Sequence, residues 1–89
     1  MKAIITVLGS DKVGIIAKVA AFLAENNINI LDISQTTMRD IFTMIMLADI
    51  SASELDFAKI VAELDAIGKA MGVIIKTQHE DIFKSMHEI

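Results

Sequence analysis

Gly9-Ser10-Asp11-Lys12-Val13-Gly14-Ile15 holds the residue types best suited to gripping a small charged molecule. A glycine at a helix entrance lets a ligand or another backbone come close. The unpaired N–H groups of a first helical turn favour a negative group such as a carboxylate. Asp11 and Lys12 set one charge of each sign beside that spot. A tight turn with an aspartate cap and an exposed lysine explains the same residues, and such turns are common. The second stretch is Glu25 to Ser34, ENNINILDIS. The Asn29 amide both donates and accepts, which suits an amino or a carboxylate group. An edge-strand amide facing water is the plainer reading. Asp32 and Ser34 are expected to face solvent or a subunit seam rather than a ligand.

Other chemistry is poorly supported. His79 and His87 suggest a metal with Glu80, Asp81 and Glu88, but eight positions separate the two rings along the chain. That is more than two helical turns, too far for the i, i+4 pair that grips one ion. Surface or interface histidines are expected, and no metal. There is no Cys, no Gly-x-Ser-x-Gly elbow, no Walker loop and no His-Glu-x-x-His, so no catalytic residue and no cofactor are assigned. Asp40, Asp49, Glu63 and Asp65 read as turn acids and solvated helix faces. Met38, Met44 and Met46 read as adaptable filler of a core or an interface.

The elements that must position these residues follow from periodicity. Residues 2–8 are rich in β-branched residues and end at a Gly-Ser-Asp turn, which predicts a strand. Gly14 to Asn26 has helical period, with Ile16, Val19, Ala20 and Leu23 on one face and Ile15 and Phe22 widening it. Asn26 and Asn27 end it, since Asn tolerates a left-handed cap. Ile28–Met38 and Ile41–Ile50 read as two strands joined by a hairpin at Arg39-Asp40. Ser53 with Asp56, or Ser51 with Glu54, fits a capping box. The helix that follows should bury Phe57, Ile60, Val61, Leu64, Ile67 and Met71, with Gly68 and Gly72 marking its end. Val73–Gln78 is a last strand. Residues 80–89 read as an amphipathic helical extension bearing Ile82, Phe83, Met86 and Ile89. Strand-helix-strand-strand-helix-strand is the split-βαβ pattern. It predicts an α+β, ferredoxin-like fold: a four-stranded antiparallel sheet, both long helices on one face, and a short C-terminal helix.

With both motifs placed on elements, residues 1–79 resemble the ACT domain family of small regulatory modules. The likeness is carried by Gly9-Ser10-Asp11-Lys12-Val13-Gly14-Ile15 and, fifteen positions after Gly14, by Asn29-Ile30-Leu31-Asp32. The whole chain is similar to stand-alone ACT proteins of bacteria and archaea. It is also similar to the ACT modules of the glycine-cleavage repressor and of formyltetrahydrofolate deformylase. The resemblance implies a non-catalytic module that senses an amino acid at the seam of a side-by-side homodimer or higher oligomer. Its output would pass to a partner enzyme or transcription regulator. It implies a ligand held by Asp11, Lys12, Gly14 and Ile15 of one subunit and Asn29, Ile30 and Leu31 of the other. Gly14 and Ile15 would lend N–H groups to a carboxylate, and Ile15 and Phe22 would lie at the seam. Asp11 stands where serine-binding members carry Asn, and Gly9 where they carry His.

Composition agrees with this class. The 89 residues make one domain, 54% hydrophobic and only 4% aromatic. A chain of this size leaves much of its surface wet, so some apolar surface is expected to meet another protein chain. That observation also supports a second reading, an interaction module without a small ligand. Net charge is −4 with no basic stripe, which speaks against direct nucleic-acid binding. No apolar run reaches membrane-spanning length, and a cytoplasmic protein without a membrane partner is expected. An acylphosphatase-like enzyme would need an anion-binding Arg in the first loop, and the only Arg is Arg39.

Overall fold

The computed structural model describes residues 1–10 and 13–81. The order is β1 (Lys2–Gly9), α1 (Val13–Glu25), β2 (Asn29–Met38), β3 (Ile41–Asp49), α2 (Phe57–Met71) and β4 (Ile74–His79). The sheet runs β2-β3-β1-β4 with every neighbouring pair antiparallel. This is the ferredoxin-like α+β fold.

Alternation decides the layers. Ala3, Ile5 and Val7 of β1 and Phe42, Met44, Met46 and Ala48 of β3 point to one side and are buried. Period-2 burial on two central strands makes a wall that helices can cover. Ile15, Val19 and Leu23 of α1 and Ile60 and Leu64 of α2 cover it. The buried stripe of α1 therefore runs through Ile15; Ala20 is exposed, and Ile16 and Phe22 are only half-buried. Residues 15, 19 and 23 repeat every four positions and stack on one helix face, so the wide apolar girth of α1 resolves to its i, i+4 row.

The ends of α2 differ from the capping-box expectation. The helix starts later, at Phe57, and its cap is Asp56, whose side chain accepts the Lys59 N–H at 2.8 Å. Ser53 accepts the Leu55 N–H at 3.2 Å, inside the connecting turn. Asp56 wins because an ionised oxygen caps the positive helix end more strongly than a hydroxyl. At the far end only Gly72 is a cap, with φ at 73°. Gly68 is buried within the helix, where a Cβ would meet the Val73 carbonyl oxygen at 2.9 Å. Its role is close approach of α2 to β4. Met71, the last residue of the helix, is 37% exposed.

Left-handed residues close the other turns as expected. Asn27 has φ at 57° after α1, and Arg39 has φ at 58° in the β2–β3 hairpin. The C-terminal extension is described only as far as Asp81; its apolar positions Ile82, Phe83, Met86 and Ile89, and His87, lie outside the described residues. Lys59–Glu63 and Lys69–Asp65 are exposed i, i+4 pairs on α2 at 3.1 and 3.0 Å, each a small contribution of about 0.3–0.5 kcal/mol.

Removing the α2 cap with Asp56→Ala should lower stability by about 1 kcal/mol. Leu64→Ala, in the core, should lower it by about 2–5 kcal/mol. Urea midpoints at fixed m-value check both.

Candidate functional site

The register of the sheet sets the candidate residues apart within one chain. Gly9 pairs with Phe42, and Phe42 with Thr37, so the β1–α1 loop lies at the hairpin end of the sheet. Lys2 pairs with Asp49, and Asp49 with Asn29, so the start of β2 lies at the opposite end. Lys2 and Gly9 are seven positions apart on β1, about 24 Å at the rise of an extended strand. Gly14 and Ile15 open α1 at one end, and Asn29, Ile30 and Leu31 open β2 at the other. One protomer does not bring the two groups together.

The loop residues are placed as follows. Gly14 is half-buried in the first turn of α1, and Ile15 is 1% exposed. The Ile15 side chain is part of the core, so only its backbone is left for a ligand, and the seam position expected for this side chain is corrected to an interior one. Asp11 and Lys12 lie outside the described residues. Gly9 has a structural reason of its own, since a Cβ there would collide with the Val73 side chain. The space that the glycine opens is filled by the neighbouring turn.

The β2 residues are placed by a bulge. Counting back from the hairpin, Met38 pairs with Ile41 and Asp32 with Leu47, but Ile30 then pairs with Ala48. Leu31 is the extra residue. It puts Ile30 and Ile33, three apart, on the same helix-facing side, opposite the buried Ala48 and Met46. Yet Ile30 is 38% and Ile33 44% exposed, because the helices do not reach over this edge. All ten residues of β2 are exposed.

Beside Asn29 the bulge sets Asp49, which the sequence reads only as a turn acid. Asp49 Oδ1 accepts the Ser51 hydroxyl at 2.6 Å and the Ser51 N–H at 2.9 Å. The same hydroxyl accepts from the Met1 ammonium at 2.8 Å. The Ser51 hydroxyl first, and its N–H second, hold the Asp49 carboxyl below the usual carboxylate range. An unbulged hairpin would pair Asn29 with Ile50, so periodicity alone could not find this neighbour.

At the other side of the sheet His79 is a structural residue. Its ring meets Phe57 edge-on at 6.1 Å, and Nδ1 accepts the Asp81 N–H at 3.1 Å. Among the described residues no three His, Asp or Glu side chains gather as a metal site. Among them, too, no helix is long and apolar enough to cross a membrane.

Comparison with known proteins agrees with this fold. The ACT domain family model matches residues 2–78. The chain belongs to the ACT domain family, a class of regulatory small-molecule-binding modules. Within it, the chain is similar to a UPF0237 protein of Clostridium acetobutylicum, 62% identical over the full length of both. It is also similar to the solved ACT domain protein from Streptococcus pneumoniae, with TM-score 0.81 and 44% identity over 94% of each chain. A formyltetrahydrofolate deformylase from Pseudomonas syringae shares the fold, with TM-score 0.78 and 22% identity over 88% of this chain but 27% of its own.

Because the folded pKa of Asp49 is lowered, its ionised form adds stability above the unfolded carboxylate pKa; that stability is lost as pH falls through the folded value. Carboxyl-detected NMR titration should find Asp49 below an ordinary aspartate. Ser51→Ala should move it up part of the way, since the backbone N–H of residue 51 and the nearby Met1 ammonium and Lys2 charges still hold it down.

Proposed function

We propose that the protein is a non-catalytic sensor of an amino acid, with a ligand site formed between two copies of the chain. The observation that carries this reading is the separation of the two motif halves to opposite ends of one sheet. A two-fold axis through β2 supports their reunion. Two β2 edges paired antiparallel bring the start of one strand level with the end of the other. Asn29, Ile30 and Leu31 of one protomer then lie at the end that carries Gly14 and Ile15 of its partner, and the proposed site takes in Asp11 and Lys12. Backbone N–H groups at Gly14 and Ile15 suit the ligand carboxylate, and the Asn29 amide suits a second polar group.

The edge itself favours such pairing. β2 is ten residues long and carries no Pro or Lys, the usual guards of a free edge. Its regular stretch, Asp32 to Met38, is centred on Gln35, a natural position for the axis. Exposed Ile30 and Ile33 supply apolar area beside it. Membership of the ACT family supports a regulatory role, and output then passes through a partner enzyme or transcription regulator in the cytoplasm.

The test is complementation between protomers. Asn29→Ala and Gly14→Asp homodimers should each lose binding when twenty amino acids are screened by calorimetry. The mixed dimer pairs both lesions in one site and leaves the other intact, so it should recover half the wild-type stoichiometry. Recovery of no site overturns a shared site, and absence of wild-type binding overturns the sensor. Ile33→Asp should halve the sedimenting mass and abolish binding while far-UV circular dichroism is kept.

A further inference from the structure

The face of the sheet away from the helices has no cover among the described elements. Leu8 and Ile45 are each 39% exposed on it, Ile41 53% and Ile74 64%. An apolar patch of this kind on a small chain marks a contact surface. Its pattern says what fits. One row across the strands reads Ser34, Ile45, Thr6, Lys76, and the next reads Thr36, Thr43, Leu8, Ile74. On the two central strands large and small residues alternate in opposite order: Ile45 then Thr43 on β3, Thr6 then Leu8 on β1.

We propose that this face is a docking surface for a second copy of the chain. The two sheets stack about a two-fold axis that lies in the face, across the strands, between these two rows. That axis exchanges the rows and keeps each strand over its own counterpart. Ile45 then meets Thr43 of the other copy, and Leu8 meets Thr6. Large over small is how facing sheets interdigitate at a separation of about 10 Å. The exchange also carries Asp32 over Met38 of the other copy, next to its Arg39 at the hairpin, so opposite charges meet at the margin. Neither Asp32 nor Arg39 has an ion-pair partner among the described residues.

The axis passes between residues 34 and 36 of β2, level with Gln35. It therefore intersects the axis proposed for edge pairing at a right angle. Two perpendicular two-folds that intersect generate a third and close the assembly at four copies. Closure at four rests on the edge-paired reading; the face contact by itself would give a stacked dimer.

Native mass spectrometry and sedimentation velocity on the full chain test this. Wild type should run as a tetramer, and Leu8→Lys with Ile45→Lys should give half its mass while edge pairing and amino-acid binding persist. Thr6→Leu alone sets a large side chain against Leu8 of the other copy and should weaken the tetramer. Adding Leu8→Thr puts large over small again and should restore it. A wild-type dimer that only Ile33→Asp dissociates overturns the face contact and leaves the edge reading standing. A wild-type dimer that only the Leu8/Ile45 variant dissociates supports the face and overturns the edge. A face variant with unchanged mass overturns the face contact, whatever its thermal stability.

Discussion

The antiparallel register of β1 on β3 is the constraint from which the rest follows. It puts Gly9 beside Phe42 and Lys2 beside Asp49, and so fixes which loops share an end of the sheet. α1 must return along β1 to reach β2, which then starts where β1 starts. No side-chain change alters this, because hydrogen-bond ladder and buried alternation agree: Ala3, Ile5 and Val7 face Phe42, Met44, Met46 and Ala48 in one wall. A one-residue slip would turn that entire wall to water. The separation of the two motif halves is a consequence of topology.

The same topology leaves two surfaces without partners. β2 is an edge with every residue exposed, and its bulge puts two isoleucines on the helix side beyond the reach of the helices. The far face of the sheet exposes Leu8, Ile41, Ile45 and Ile74. These are where the high hydrophobic content of the chain resides once the core is filled. The two helices cover the central strands and β4 and leave the β2 edge bare. The remainder is surplus to folding and available for association, as the apolar composition of so short a chain already implies.

Much of the fold was legible because each element carries its own local signal. Strand alternation, the Asn26-Asn27 and Gly72 stops and the Arg39-Asp40 hairpin act over three or four residues, and all appear where expected. The misread details share one cause: a local pattern admits several solutions that packing must choose between. Ser51 and Ser53 both fit as caps, and Asp56, the far partner of one such box, caps α2 instead. Ala20 and Ile15 both fit a helical stripe, and the larger side chain takes the core. Gly68 looks like a stop and is instead a point of contact with β4.

For the candidate site, the sequence by itself determined the residue types, the strand-helix order that places Gly14 at a helix entrance and Asn29 at a strand start, and the family to which the chain belongs. Only the tertiary structure decided that these residues lie at opposite ends of one protomer, that the Ile15 side chain is interior, and that Asp49 stands beside Asn29. The physical reason is that periodicity reports which side of an element is buried. It carries no information on register across strands, and here a single extra residue, Leu31, shifts that register.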